Sequence, residues 1–362
     1  MVYFCPMHIL YYITSHGYGH GVRSCAIMSA LRADVRLTVH TSLPAEFLAA
    51  EIHRAFTQLP AEFDCGCIQR DSVVIDYAAT VSTYSEIATR NAASIEQEVA
   101  LCRDLGVDGI VSDATPFAFD VAARAGIPSI AATNFTWHDI YAPYVAQFPA
   151  FGPVVAEIRR QYASAGLLLA LTPANPMSYF PHRKTVPLVG RVGTPCRGRI
   201  NGILRLDPRK RLAIVYTGNF GIADMPWERL AEFDEWEFVG LYDLPGAPGN
   251  YHRVSKSDVG YADLLASADL VISKLGYATV AECMINAVPL LYLPREGFAE
   301  YPYLEAAVDA WGFGFRLSDE AYRRMEWASI LDRVPVRARV PAGPIDGAAV
   351  CAREIEAFVR AG

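Results

Sequence analysis

The chain has 362 residues, of which 52% are hydrophobic and 20% are charged, and its formal net charge is −7. This length exceeds one ordinary core and suits two α/β domains, and the composition excludes a disordered or coiled-coil chain. The acidic balance argues against a general nucleic-acid binder, which normally has a basic face. The basic residues around Arg183 to Arg211 are interpreted as a solvated linker region, with a polyanion site as the alternative.

The cysteines and the N-terminal residues bear on metal binding and location. The eight cysteines form no C-x-x-C pair, so neither a zinc site nor a disulfide framework is predicted. The first residues lack the basic start and small-residue cleavage site of a secretion signal and are interpreted as the first strand. No apolar run approaches the roughly 20 residues of a membrane span. We therefore expect a cytoplasmic protein with no transmembrane segment and no bound metal.

Short apolar runs alternate with amphipathic stretches in the first half, as is typical of a parallel sheet covered by helices. Strands are predicted near 9–13, 36–40, 55–58, 109–112, 128–132 and 167–171. Helices are predicted near 22–31, 44–52, 84–104, 116–125 and 152–162. A segment rich in Gly, Pro and Arg at 183–200 interrupts the pattern and is a linker candidate.

The alternation restarts in the second half. Strands are predicted at 212–216, 236–240, 270–272 and 288–293, and helices at 226–233, 260–267, 277–286 and 301–310, with a last helix after Asp346. The predicted fold is α/β with two doubly wound Rossmann-like domains facing a cleft, where ligands bind in such folds. The domain boundaries are 1–182, a linker at 183–200, 201–345, and a C-terminal helix at 346–362 that can cross back to the N-terminal domain.

A glycine-rich segment, Ser15 to Ser24, follows the first predicted strand. A strand, a glycine turn and a helix present backbone N–H groups and a few side chains at the carboxyl edge of a sheet. His20 lies in this turn and can titrate near neutral pH, so it is a candidate base. His16 is a second candidate for the base. The alternative is that His16 only packs or forms hydrogen bonds locally.

Asp113 ends the predicted strand that begins at Gly109. Adjacent strands would bring its carboxylate beside His20, where it fixes the imidazole tautomer and stabilises the imidazolium. The alternative is that Asp113 only caps the helix that starts near Pro116.

A second strand, glycine turn and helix run from Leu270 to Asn286. The helix start near Gly276 can hold a phosphate. Glu282 lies about a turn and a half into the helix, where its carboxylate can accept two hydrogen bonds from a ribose diol. An isolated helical glutamate is otherwise an ordinary surface residue.

Taken together, these segments resemble the GT-B glycosyltransferases, close to the nucleotide-sugar-dependent family 1 and MurG-like enzymes. The turn Gly17-Tyr18-Gly19-His20 resembles their N-terminal G-x-G-H turn, and Asp113 to Pro128 resembles the segment with the aspartate partner. The segment from Gly276 to Glu282, followed by Val288-Pro289-Leu290, resembles the donor signature. Lys274-Leu275 stands where the plant signature has a phosphate-binding histidine.

The resemblance implies transfer of a sugar from a nucleoside-diphosphate donor, UDP-linked, to a hydroxyl or amine of a small-molecule or lipid-linked acceptor. It implies that His20 is the base, that Asp113 assists it, and that neither a metal nor another cofactor is required. The implied donor-binding residues are Gly218, Asn219, Ser273, Lys274, Gly276, Tyr277, Ala278, Thr279, Glu282 and Glu300. The acceptor pocket is predicted to comprise His16, Tyr18, Trp137 and His138, with interdomain packing as the alternative for the aromatic residues.

Two other functions remain open on the sequence. The combination of Gly19-His20 with Arg23-Ser24 also resembles PseG-type nucleotide-sugar hydrolases and the N-terminal region of arabinokinase-like proteins. A hydrolase or epimerase would use the same donor site with water or no acceptor. A catalytically silent binding protein would keep the donor helix but lack a working base, and the presence of His20 and Asp113 counts against it.

Overall fold

The computed structural model describes residues 6–69, 75–216, 225–255, 257–293, 297–341 and 343–362. These residues form two compact units. The first contains the described residues up to Gly190 together with 344–362, and the second contains 191–343.

The strands form two parallel sheets, one in each unit. In chain order they are β1 His8–Ile13, β2 Arg36–His40, β3 Thr57–Leu59, β4 Gly109–Asp113, β5 Ser129–Thr133, β6 Leu167–Leu171, β7 Arg183–Val186, β8 Arg211–Tyr216, β9 Trp236–Gly240, β10 Tyr251–Arg253, β11 Leu270–Lys274, β12 Leu290–Leu293 and β13 Gly314–Arg316. The first sheet has the order β3-β2-β1-β4-β5-β6-β7 and the second has the order β10-β9-β8-β11-β12-β13. Both orders reverse direction beside their first strand, which is the doubly wound pattern that the sequence predicts.

Helices lie between most of the successive strands, because parallel neighbours need a crossover connection. In chain order they are α1 Tyr18–Ala30, α2 Ala45–Glu51, α3 Tyr77–Leu105, α4 Phe117–Ala125, α5 Trp137–Tyr141, α6 Phe151–Ala163, α7 Arg197–Leu204, α8 Tyr261–Ser267, α9 Tyr277–Ile285, α10 Tyr301–Trp311, α11 Asp319–Arg323, α12 Ala328–Leu331 and α13 Gly347–Ala361. Two 3₁₀ helices lie at Ala142–Ala146 and Trp227–Glu232. The segment predicted as a helix at 226–233 is therefore this shorter 3₁₀ turn.

The central strands are buried on both faces, which explains why they consist of continuous runs of apolar residues. All six residues of β1 are buried, and so are all five of β4 and β6. Helix α3 starts seven residues earlier than the predicted 84, because the Asp76 side chain accepts a hydrogen bond from Ala79 N at 3.0 Å and caps it there. It ends at Gly106, which adopts the left-handed conformation that favours glycine.

The segment predicted as a linker, 183–200, contains regular structure. Strand β7 pairs with β6 in the first sheet, and helix α7 begins at Arg197. Three of the four β7 residues are exposed. Edge strands present charged side chains to solvent, so this short strand lacks the apolar pattern of the central ones.

Candidate active site

The candidate active site lies at the carboxyl ends of β1 and β4, where the strand order of the first sheet reverses. These strands pair in parallel with Ile13 opposite Asp113. The backbone N–H of Thr14 donates to the Asp113 carbonyl at 3.2 Å. Ligands in open α/β sheets bind at such a switch point.

His20 lies in the first turn of helix α1. The sequence predicts it in a turn before that helix. Gly17 is the N-cap residue, with an extended backbone, and His20 N donates to the Gly17 carbonyl at 3.2 Å. The expected helix start at residue 22 is therefore four residues late. The prediction failed because glycines at three alternate positions were interpreted as a turn.

The structure brings His20 and Asp113 into contact. The distance between His20 Nδ1 and Asp113 Oδ1 is 3.0 Å, and the two residues are 7% and 0% exposed. The His20 ring contacts the edge of Phe135, with ring centroids 5.3 Å apart, and lies 6.1 Å from the Trp137 ring. The imidazole is thus held between a carboxylate and an aromatic wall.

Two further residues of α1 bind the same carboxylate. Arg23 Nε donates to Asp113 Oδ2 at 2.7 Å, and Arg23 Nη2 donates to Oδ1 at 2.6 Å. Ser24 Oγ donates to Oδ2 at 3.0 Å. Arg23 also donates to Asn134 and Thr133, which follow and end β5. Arg23 is only 1% exposed, so this arginine is a fully buried ion-pair partner.

Burial alone would raise the pKa of Asp113, but the positive charges and hydrogen bonds of Arg23 and His20 outweigh it and hold this pKa well below its usual range. The carboxylate is therefore ionised. The N-cap position of α4 is Pro116, without a side-chain cap. Asp113 thus directs its carboxylate to α1, and the capping alternative does not describe its contacts.

A second buried carboxylate, Asp64, lies beside this cluster. It accepts hydrogen bonds from Thr14 Oγ1, from Thr115 Oγ1 at 2.8 Å and from Trp137 Nε1 at 3.1 Å. Burial raises the pKa of Asp64 to about 6, although the hydrogen bonds from Thr14 and Thr115 and the charge of His20 oppose the shift. Asp64 therefore titrates near neutral pH and fixes the Trp137 ring.

The residues predicted for the acceptor pocket are distributed around these groups. The rings of His16 and Trp137 contact edge to face at 5.1 Å, and Trp137 is fully buried. Tyr18 packs against Phe47 at 4.9 Å. His138 lies farther along α5, against Tyr179 at 4.6 Å. His16, Trp137 and His20 are thus brought together, whereas His138 and Tyr18 pack against other neighbours.

The residues predicted to bind the donor lie in the second unit, at the end of β11 and the start of α9. Ser273 is fully buried, and its hydroxyl has no hydrogen-bond partner among the described residues. Gly276 is the N-cap of α9, with no side-chain cap and open space where a Cβ would stand. Lys274, Ala278 and Thr279 are partly exposed, and Tyr277 is buried. Glu300 is buried at the start of α10.

Glu282 is buried and paired with a cation. Arg191 Nε donates to Glu282 Oε1 at 2.5 Å and Nη2 donates to Oε2 at 2.9 Å, so both carboxylate oxygens are engaged. One turn later, at the C-cap of α9, Asn286 accepts from Gly193 N at 2.8 Å and donates to the Arg191 carbonyl at 2.9 Å. These two side chains hold the segment 191–193 against the helix. The alternative for Glu282, an ordinary surface residue, is therefore excluded by its burial.

Gly218 and Asn219, also predicted to bind the donor, lie outside the described residues. Over the described ranges, no helix is both long and apolar enough to cross a membrane. Within the same ranges, no three His, Cys, Asp or Glu side chains are grouped so that they could hold a metal ion.

Sequence reasoning assigned no role to Arg23, Ser24 or Asp64. Arg23 and Ser24 follow His20 by three and four positions, which is the spacing of one helix face. That signal becomes visible only once α1 is started at Tyr18. Asp64 lies in a loop between β3 and α3, where no periodicity indicates which side chains are buried.

The sequence matches no protein-family model. It is 29% identical over 357 residues to L-arabinokinase from Arabidopsis thaliana, an alignment that covers 96% of this chain and 34% of that protein. The chain thus spans about a third of the length of this curated relative.

Several solved structures to which this chain is similar are glycosyltransferases. A UDP-glucosyltransferase from Polygonum tinctorium capable of glucosylating indoxyl superposes with a TM-score of 0.66 at 15% identity, covering 98% of this chain and 94% of that one. UGT89C1 from Arabidopsis thaliana, complexed with UDP-L-rhamnose, superposes with a TM-score of 0.61 at 16% identity, covering 98% and 95%. The calicheamicin glycosyltransferase CalG4 gives 0.60 at 16% identity, covering 98% and 96%. The two doubly wound units of this chain therefore have the fold of the GT-B glycosyltransferases.

Proposed function

We propose that this protein transfers a sugar from a nucleoside-diphosphate donor, a UDP-sugar, to a hydroxyl or amine of an acceptor. The observation that supports it most strongly is the buried contact between His20 and Asp113 at the switch point of the first sheet. A histidine oriented by an ionised carboxylate is the arrangement that general base catalysis requires. The fold alone would not supply this, because one fold hosts many functions.

In the proposed reaction, His20 accepts the proton of the acceptor hydroxyl or amine while its oxygen or nitrogen attacks the anomeric carbon of the donor. The bond between that carbon and the diphosphate oxygen breaks, and the electron pair leaves with the nucleoside diphosphate. Asp113 stabilises the imidazolium that forms, since its own pKa keeps it ionised.

The second unit supports the diphosphate part of the proposal. The start of α9 has no side-chain cap, and the space beside Gly276 is open. The backbone N–H groups and the dipole of a helix start favour an anion. The buried Ser273 hydroxyl and the partly exposed Lys274 precede this helix start. We propose that these groups meet the charge of the leaving diphosphate, and no cofactor beyond the donor is part of the proposal.

Glu282 is proposed to bind the ribose of the donor. Its existing contacts with Arg191 limit how it can do so. Both of its carboxylate oxygens are engaged by Arg191. A ribose diol must therefore share the remaining lone pairs of the carboxylate or displace the guanidinium. The competing role is a structural one, in which Glu282 only holds the segment 191–193.

A second candidate is hydrolysis of the nucleotide sugar, with water as acceptor. The observation behind it is the 29% identity to a protein named L-arabinokinase, since arabinose is the sugar that hydrolysis of a UDP-arabinose donor would release. Water activated by His20 would release the sugar and UDP from the same donor.

One experiment separates these candidates and tests the base. The protein is incubated with UDP-sugars, UDP-arabinose included, with and without a panel of phenol, alcohol and amine acceptors, and UDP and products are measured by mass spectrometry. We expect UDP release to depend on acceptor and His20→Ala to lower turnover about 10²–10⁴-fold, the usual contribution of a positioned base.

Two histidines serve as controls for this experiment. His16→Ala removes the rival base and should lower turnover markedly less. His53→Ala removes an exposed histidine of the first unit and should leave turnover unchanged. Equal losses in His20→Ala and His16→Ala would refute the assignment of the base, and UDP release without any acceptor would establish the hydrolase.

A further inference from the structure

Asp64 joins the three loops that follow the central strands of the first sheet. Its carboxylate accepts hydrogen bonds from Thr14, which directly follows β1, from Thr115, two residues after β4, and from Trp137, which begins α5 after β5. Strands β1, β4 and β5 are neighbours in the sheet. One buried side chain of the loop 60–69 is therefore a common anchor for the carboxyl edge that holds the candidate active site.

The Trp137 indole connects this anchor to the candidate base. Its Nε1 donates to Asp64 Oδ1 at 3.1 Å, and the side chain is fully buried. The centroid of its ring lies 6.1 Å from that of His20 and 5.1 Å from that of His16. A buried indole N–H needs an acceptor. Because Asp64 supplies that acceptor, it fixes the rotation of the indole and with it the surface that faces the two histidines.

The same loop contacts the rings on either side of Trp137. A Cβ on Gly66, whose φ is +57°, would overlap the His16 ring, and the Tyr141 hydroxyl donates to the Gly66 carbonyl. The Tyr141 ring stacks on the Trp137 ring with centroids 5.8 Å apart. The loop therefore holds a row of three rings beside the candidate base, with Trp137 in the middle.

Fold stability does not account for a carboxylate at position 64. Its three donors are two hydroxyls and an indole, and among the described residues no arginine or lysine pairs with it. Burial raises the pKa of Asp64 to about 6, so the ionised form costs stability at neutral pH. An uncharged amide could make hydrogen bonds in its place without this cost. A charged group that is kept at such a cost beside a candidate base indicates a role in the site.

We propose that Asp64 is a positioning residue of the candidate active site, which holds the Trp137 indole beside His20 by joining the loops after β1, β4 and β5. Asp64 is only 2% exposed, so it acts through Trp137 and not by touching the acceptor. Its effect on turnover rests on the proposed function, whereas the position of the indole does not.

Other titratable groups face Asp64 from several elements. They are His20 of α1, Tyr84 of α3, Tyr141 of α5, Tyr162 of α6, and Glu62 and Cys65 of its own loop. Burial raises the pKa of each tyrosine well above its usual value and that of Cys65 to about 12. These groups therefore stay neutral around pH 7, and His20 and Glu62 are the neighbours that a pH titration must control for.

Nitrogen-15 NMR of the five tryptophan indoles in the full chain, free of donor and acceptor, tests the contact directly. The Trp137 signal is assigned by its loss in Trp137→Phe. We expect this signal to move with pH in the wild type, with a midpoint of about 6, and to be independent of pH in Asp64→Asn. The titration should persist in His20→Ala and in Glu62→Gln, which remove the two neighbouring charges.

Turnover separates a positioning role from a structural one. In Asp64→Ala we expect kcat to fall about 10–10²-fold, the cost of displacing a catalytic group from its productive geometry. The KM for the nucleotide sugar should stay unchanged, because the proposed donor site lies in the second unit. Asp64→Asn retains an acceptor for the indole and a donor for a threonine hydroxyl, so it should recover most of this loss.

Two further variants keep the test decisive. Asn91 Nδ2 donates to the Phe63 carbonyl of the same loop at 2.9 Å, so Asn91→Ala should lower the melting temperature without changing kcat. Trp137→Phe keeps an aromatic ring but lacks the Nε1 donor, and it should lower kcat by itself. Adding Asp64→Ala to Trp137→Phe should cost little more, because the two residues act through one contact.

An Asp64→Ala protein with the kcat of the wild type and a lowered melting temperature would overturn the proposal, because that is a purely structural role. So would losses in kcat that multiply in the double variant, or an indole signal that is the same in the wild type and in Asp64→Asn at every pH. If Asp64→Ala does not fold, the indole signal and the kcat of Trp137→Phe still decide. If neither transfer nor hydrolysis is found, the proposed function fails, and the indole signal alone decides whether Asp64 holds Trp137.

Discussion

Asp113 is the residue on which the polar centre of the first unit depends, because its ionised carboxylate is the shared acceptor for His20, Arg23 and Ser24. Because the pKa of Asp113 is lower in the folded than in the unfolded chain, its ionisation stabilises the fold. This stabilisation is present above the unfolded-state pKa of about 3.9 and is lost only as the pH falls through the folded-state pKa. The contribution is therefore complete at neutral pH.

Asp113→Asn should consequently destabilise the protein as well as inactivate it. The substitution keeps the shape of the side chain but leaves Arg23 as a buried, uncompensated charge, which costs about 3–5 kcal/mol. Urea unfolding at pH 7 measures this loss. The double variant Asp113→Asn, Arg23→Met removes both charges and should recover part of the stability, whereas additive losses would show that the two residues are not coupled.

Asp64 should make stability depend on pH in the opposite direction. The unfolded chain releases this proton near pH 3.9, whereas burial raises the folded pKa to about 6. Between these values the folded state binds the additional proton, so the free energy of unfolding falls as the pH rises, by at most about 1.4 kcal/mol per pH unit. Above the folded-state pKa of Asp64, this loss of stability is complete and no longer changes with pH.

Asp64→Asn removes the titration and tests this directly. Urea unfolding of both proteins is compared at several pH values between about 4 and 7. The stability of the wild type relative to the variant should decline across this range and then level off. A constant difference at every pH would mean that Asp64 keeps an ordinary pKa in the folded state.

At the scale of the elements, α1 shows where sequence reasoning succeeds and where it fails. The pairing of β1 with β4 follows from apolar runs and the doubly wound order, and it brings Asp113 to His20. The helix start was placed late because Gly19 and Gly21 each cost about 1 kcal/mol inside a helix. Tertiary packing overrides this preference, since a Cβ on Gly21 would overlap Phe47 and Leu43.

Helix α9 provides the prediction for the donor site. If Glu282 binds the ribose, Glu282→Ala should weaken uridine and UDP alike by about 1.5–3 kcal/mol, the range for hydrogen bonds to a charged group. Calorimetry with both ligands measures this. Lys274→Ala should weaken UDP more than uridine, because its proposed partner is the phosphate.

Asn286→Ala is the matched control for Glu282. It is the C-cap residue of the same helix and also holds the segment 191–193, but it is not a proposed ribose ligand. It should lower stability and leave uridine affinity unchanged. If the two variants lose the same affinity, the effect comes from the displaced segment, and Glu282 has only the structural role.

At the scale of the whole molecule, both sheets are doubly wound, as the alternating sequence predicts, and the strands that the sequence did not predict lie at the sheet edges. β10 and β13 have three residues each, and β7 has mostly exposed ones. Such strands bury too little apolar surface to leave a pattern in the sequence. Arg23 and Asp64 were missed for a related reason, since the burial of a polar residue depends on the tertiary neighbours that satisfy it.

Residues 344–362 fold with the first unit, so a change in the last helix should weaken strands that lie hundreds of residues earlier. Helix α13 packs against α1, β5 and β7, with Ile355 fully buried and Val359 against Gly109 of β4. Ile355→Ala should cost about 2–5 kcal/mol. Hydrogen exchange followed by mass spectrometry should show faster exchange in β1, β4 and β5 and unchanged exchange in β8 and β11. Arg353→Ala, on the exposed face of the same helix, should alter neither sheet. Equal acceleration in both sheets would mean that the two units unfold together.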